Sequence, residues 1–207
     1  MQPARSSSRS NARGRATARR IEAAAVRLAT EHGPDALTVD AVCVAAGISQ
    51  RTFFHHFPTK EDALLGLDLP VLDEERVRDY LSDPRIGVLS GAVSLVRLPE
   101  GSPADAALEL ARLRLVAASP ALYRRQGERL LPLLHEVRGL VLTRLRAGAG
   151  DDERPEDLER QADLVTAMGA ALMQAVGHRA VADGARPTAA AAATSLELLR
   201  PVWGRLL

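Results

Sequence analysis

Apolar residues recur at helical spacing in block after block of this chain, and no segment shows the alternation of a half-buried strand. Ile21, Ala24, Ala25 and Leu28 share one face of a first helix, predicted from about Arg13 to Glu31 and stopped by His32-Gly33-Pro34. Val39, Val42, Ala45 and Ala46 give a second, shorter helix its apolar face, with Thr38 as N-cap. Gly47 can take the left-handed conformation that ends a helix cheaply, and Ile48 turns inward. Ser49 caps the next helix, QRTFFHHF, which Pro58 stops. Two short helices joined by so tight a turn follow the grammar of a helix-turn-helix, whose second helix enters the DNA major groove.

Thr59-Lys60-Glu61-Asp62 then opens a fourth helix, continued by Ala63, Leu64, Leu65 and Leu67, and Pro70 is expected to end or kink it. Helical spacing resumes over 71–81 and breaks at Ser82-Asp83-Pro84. Residues 85–98, apolar with two glycines, are read as a further helix. Ser102-Pro103 and Ser119-Pro120 each set Pro at a first helical position, predicting helices to about Ala118 and Ala147. Pro155 begins a long helix to about Asp183, and Thr188 a last one to about Leu206, with Pro201 as a candidate kink. The expected fold is all-α, with about nine helices. It divides into a disordered basic arm (1–12), a three-helix helix-turn-helix domain (13–67) and a helical body (68–207).

Composition adds an asymmetry. The chain of 207 residues can bury a sizeable core, and its net charge is only +1. Residues 1–60 hold nine Lys+Arg against four Asp+Glu, so +5; the rest hold 18 against 22, so −4. A basic N-terminal module on an acidic body implies that the first part alone meets a polyanion. Arginine makes up 26 of the 27 basic residues, a bias of composition that does not itself argue for DNA binding. The single Cys43 excludes an intramolecular disulfide. The Arg- and Ser-rich start lacks an apolar signal region, and no apolar run approaches the ~20 residues of a membrane span, so a cytoplasmic protein is expected.

The ordered string Leu37-Thr38-Val39, Ala46-Gly47-Ile48-Ser49, Thr52-Phe53-Phe54, His56-Phe57 and Lys60 resembles the DNA-binding domain of TetR-family transcriptional repressors. Ile21, Ala24, Ala25, Leu28, Glu31 and Gly33 fit that family's first helix, and beyond about residue 67 the likeness is one of helix pattern. In the recognition helix, Phe53, Phe57 and Ile48 are expected to anchor the core. Gln50, Arg51, Phe54 and His55 lie near its start or on its outward face, where Gln can pair with adenine, Arg with guanine, and an aromatic ring can rest on a thymine methyl. The resemblance implies the same four as base-facing residues, and Thr38, Thr52, His56 and Lys60 as phosphate contacts. The family commonly has Tyr where Phe54 and His55 stand; Phe54 cannot donate to phosphate, whereas His55 can. Adjacent histidines point about 100° apart on a helix, so no shared metal is expected, and no cofactor. Cys43 stands where the family usually has Ala and is read as a small core residue.

The resemblance further implies a homodimer through the last two helices, which two-fold pairing on a palindromic double-stranded operator also requires. Ala167, Gly169, Ala170, Ala171, Ala175 and Gly177 give the first of these helices a small face; Leu196, Leu198, Leu199, Val202 and Trp203 make the last one apolar. The segment from about 85 to 180 is expected to enclose a pocket for a small-molecule effector. With three Phe, one Trp and two Tyr in the chain, an aliphatic ligand fits better than a cationic drug needing an aromatic cage. Arg112, Tyr123, His135, Met173, Gln174 and His178 are its candidate contacts. A repressor released by its effector is therefore the first reading. An activator or effector-independent DNA-binding regulator stands beside it. An all-helical enzyme is the remote alternative, since no catalytic triad order, phosphate loop or metal-spaced cluster is present.

Overall fold

A computed structural model describes residues 4–99, 103–185, 191–192, 194–198 and 201. The fold is all-α. In chain order the helices are α1 (Ala4–His32), α2 (Val39–Ala46), α3 (Gln50–His56), α4 (Lys60–Leu65), α5 (Glu74–Ser82), α6 (Val88–Ser94), α7 (Pro103–Ala118), α8 (Pro120–Gly148) and α9 (Pro155–Asp183). Two strands of two residues each, β1 (Val71–Leu72) and β2 (Val96–Arg97), pair antiparallel, Val71 opposite Arg97 and Leu72 opposite Val96.

Several expectations need correction. The first helix begins at Ala4 instead of Arg13, through most of the segment expected to be disordered. Once Ala18 and Ile21 are packed, each residue added to the helix end gains a hydrogen bond for one residue fixed, and no proline interrupts 4–32. On α2 the core positions are Val42, Cys43 and Ala46, while Ala45 faces solvent and Val39 is half-buried. The strand pair was invisible to pattern reading because two residues cannot display an alternation. Of the predicted last helix, residues 191–192, 194–198 and 201 are helical; Leu199, Val202 and Trp203 lie outside the described residues.

The chain forms two compact units. The first joins Met1–Asp68 to Gly101–Gln126, so α7 and the start of α8 belong with the helix-turn-helix, contrary to the 13–67 boundary expected for that domain. Its core gathers Ile21, Ala25 and Val26 of α1, Val42 of α2, Phe53 and Phe57 of the α3 segment, Leu64 of α4 and Leu122 of α8. The second joins Leu69–Glu100 to Gly127–Leu207. Its cores form around Tyr80, Leu95, Val141 and Ala162, and around Val93, Leu172 and Val176. Tyr80 is fully buried: its hydroxyl donates to the Val88 carbonyl (3.2 Å), and burial pushes its pKa up to about 12. The Arg144 guanidinium lies 5.8 Å from the Tyr80 ring centre and donates to the carbonyls of Asp83 and Ile86, closing the loop after α5.

Candidate nucleic-acid interface

Caps at both ends shape the turn between α2 and α3. The Thr38 hydroxyl accepts from the Ala41 N–H (3.2 Å), and Ser49 accepts from the Thr52 N–H (3.2 Å), satisfying donors that each helix start leaves open. Gly47 stands at φ 63°, ψ 45°, where an L side chain is strained, and its N–H together with that of Ile48 returns to the last α2 carbonyls. Phe53 and Phe57 are fully buried with their ring centres 6.1 Å apart, which fixes the roll of α3 about its axis.

That roll leaves Gln50, Arg51, Phe54 and His55 exposed on one side of the helix. Phe54 is 54% exposed, its ring edge-on to Phe53 with centres 5.4 Å apart. An apolar ring held so firmly in water is suited to a thymine methyl. The Gln50 side-chain nitrogen donates to the carboxylate of Asp40 in the first turn of α2, a partner that motif reading did not single out.

The residues assigned to phosphate divide. The Thr52 hydroxyl shares a hydrogen bond with Ser49 (3.0 Å), and Thr38 is the α2 cap, so both stand at helix starts. His56 is half-buried, its ring centre 5.2 Å from that of His55; burial, and secondarily His55, holds its pKa below the ordinary histidine value. Lys60 already has partners within the chain. Its ammonium donates to the carbonyls of Leu37 (2.8 Å) and Asp35 (3.4 Å), closing the loop before α2, so phosphate competes for a group already engaged. Cys43 is buried with its thiol pKa raised by desolvation and then by Asp40, which opposes thiolate reactivity.

α4 is held at both ends by arginines that arrive from later in the chain. At its start, Arg125 of α8 pairs with the buried Asp62 (3.1 Å), which also accepts from the Thr59 hydroxyl. At its end, Arg112 of α7 donates to the Leu64 carbonyl (2.9 Å), to Glu109 (2.8 Å) and to Glu22 (2.9 Å). The second oxygen of Glu22 accepts from the Leu67 N–H (2.8 Å), so this buried carboxylate is paired on both sides. Gly66 has φ +78°, and a Cβ there would lie 2.8 Å from the Arg112 guanidinium carbon. The chain therefore leaves α4 at Leu65, before Pro70 can act.

Arg112, one of the expected effector contacts, has its three nitrogens on the Leu64 carbonyl, Glu109 and Glu22. It lies with Tyr123 in the first unit; His135, Met173, Gln174 and His178 lie in the second. Met173 packs partly buried near Leu172 and Val176, whereas Tyr123, His135, Gln174 and His178 are exposed. Glu22 carried a signal in the sequence: it falls at i+4 from Ala18 and i−3 from Ala25, within the apolar stripe. Among the described residues no group of three or more His, Cys, Asp or Glu gathers to hold a metal, and no helix is long and apolar enough to cross a membrane.

Residues 21–66 match the family profile of bacterial regulatory proteins of the tetR family, from within α1 to just past the end of α4. The chain is 31% identical over 142 residues to the HTH-type transcriptional regulator TcmR of Streptomyces glaucescens, covering 63% of this chain and 61% of that regulator's length. Among solved structures it resembles Salmonella enterica GusR, at 22% identity and a TM-score of 0.43, over 88% of this chain and 93% of the other.

Proposed function

We propose that the chain, whose residues 21–66 match the profile of tetR-family bacterial regulatory proteins, is a dimeric, sequence-specific repressor that leaves a palindromic operator when a small apolar effector binds. The observation that carries DNA reading is the exposed set Gln50, Arg51, Phe54 and His55 on α3, backed by the buried Phe53 and Phe57. The four offer an amide, a guanidinium, an aromatic ring and an imidazole, which suit base edges, while a basic first segment suits phosphates.

Dimerisation is supported by α9. Leu164, Ala167, Ala171 and Ala175 recur three to four residues apart and are exposed, while Leu158, Ala162, Leu172, Val176 and Ala180 of the same helix are buried. A small, partly apolar exposed stripe of this kind permits close approach of a second copy. Coupling of effector to DNA then follows from differential affinity: an effector that prefers the state with lower DNA affinity weakens DNA binding, and DNA weakens the effector by the same factor. The scarcity of aromatic residues supports an aliphatic or acyl ligand.

The test is titration of the purified protein against its own upstream intergenic DNA at two salt concentrations. Nanomolar binding to a palindrome by two protomers or a multiple, with a steep salt slope, is the expected result. Weak binding that ignores sequence, repeated in a selection over whole-genome fragments, overturns the reading. Screening small molecules for release of the complex separates an effector-controlled repressor from an effector-independent one.

A further inference from the structure

Resting on that reading of α3, we propose that Asp40 determines base specificity by fixing which end of the Gln50 side-chain amide is offered to DNA. The two residues come from the starts of different helices, Asp40 from the first turn of α2 and Gln50 from the first position of α3. Both are exposed, and the Gln50 nitrogen donates to the Asp40 carboxylate. An unconstrained glutamine amide presents either its oxygen or its nitrogen by a half-turn of its last torsion. An ionised carboxylate only accepts, so Asp40 selects the nitrogen end every time and turns the Gln50 oxygen away from itself.

What remains for a base is one acceptor and one N–H in fixed order. That order matches adenine, whose N6 amino group donates and whose N7 accepts. It mismatches guanine, whose O6 and N7 both accept, because the Gln50 oxygen would then face O6. Asp40 is therefore a positioning residue: it acts through Gln50 and needs no contact with DNA. Its negative charge has a second effect, since a carboxylate at the start of α2 opposes phosphates uniformly, whatever the sequence.

The experiment uses the full chain and a pool of duplexes randomised across one half-site, selected with wild type, Asp40→Asn, Gln50→Ala and the double variant. Asn keeps the shape of Asp but can either donate or accept, so it no longer dictates the polarity of the Gln50 amide. Wild type is expected to prefer adenine over guanine at one position by about tenfold, a preference that Asp40→Asn and Gln50→Ala each reduce to within about twofold. The double variant should lose nothing further. A uniform change in affinity on Asp40→Asn that leaves the adenine-over-guanine preference intact, or relaxation at a position Gln50→Ala does not affect, overturns the inference.

A second measurement separates this inference from the functional reading. In the free protein, one of the Gln50 side-chain N–H signals should be shifted downfield and slowed in exchange, and Asp40→Asn should abolish both features. Identical signals in wild type and variant overturn the positioning role even if the protein reads DNA. Distinct signals with no sequence preference in the pool overturn the DNA reading, and base selection by Asp40 with it.

Discussion

Removing the carboxylate of Glu22 would leave the Arg112 guanidinium, whose side chain is only 13% exposed, with Glu109 as its carboxylate partner, and would orphan the Leu67 N–H. Glu109 keeps the charge paired, but one guanidinium donor and a part-buried N–H lose their acceptor, so Glu22→Ala is expected to destabilise by about 2 kcal/mol in urea titration. Arg179→Ala, which removes an ion pair exposed by 81% and 53%, should change stability by less than about 0.5 kcal/mol. Gly66→Ala meets two obstacles at once, a φ of +78° and the guanidinium carbon 2.8 Å from its Cβ. It should therefore cost about 2–4 kcal/mol by the same assay, unlike a surface Gly→Ala change. His56 gives a pH dependence of known sign. Its folded pKa lies below the 6.5 of an ordinary histidine, so the unfolded chain binds the proton more tightly. Stability from this group is present above pH 6.5 and is lost as pH falls through that value toward the folded pKa. His56→Gln should reduce the difference in urea midpoint between pH 7.5 and pH 5.5. Operator affinity should move oppositely, strengthening as pH falls, because phosphates favour the imidazolium.

At the scale of elements, the end of α4 shows which signals act. Pro70 looked like the terminator, yet the helix stops at Leu65 because Gly66 turns and Arg112 takes the Leu64 carbonyl. Pro70→Ala is thus expected to leave far-ultraviolet helicity unchanged and to shift stability by less than about 1 kcal/mol. A longer α4 in that variant, seen as added helical signal, would return the stopping role to Pro70. The contrast separates local signals from distant ones. The α2–α3 turn was legible because Thr38, Gly47, Ser49 and Thr59 act within three or four residues of themselves. The Pro-initiated helices α7, α8 and α9 were legible for the same reason. The Glu22–Arg112 bond spans 90 positions and the Asp62–Arg125 bond 63, so nothing local announced that α7 belongs with the helix-turn-helix. Asp40 escaped notice likewise: its bond to Gln50 exists only once the turn has folded. The surroundings of the expected effector contacts were least legible, since the partners of Arg112 lie 3 to 90 positions away and the exposure of the other five depends on tertiary packing.

For the whole molecule, the proposed dimer makes a prediction in which folding, assembly and DNA reading separate. One α3 spans too few base pairs for high affinity, and a second copy doubles the contacts only if both can reach successive major grooves. The first 60 residues carry +5 and the remainder −4, so each added copy brings its own basic segment to the phosphates. A charge introduced into the exposed stripe of α9 should prevent association without entering either core. Ala171→Arg fits this purpose because Ala171 is exposed while its neighbour Leu172 is buried. Sedimentation equilibrium is expected to find a monomer with unchanged helicity. Its affinity for a full palindrome should fall at least tenfold, with the salt slope roughly halved, while its affinity for an isolated half-site stays within about twofold of wild type. A variant that remains dimeric and binds the palindrome normally would remove α9 from the interface. A monomer that still binds the palindrome as tightly as wild type would show that one copy of α3 reads the operator alone, which would end the case for two-fold recognition.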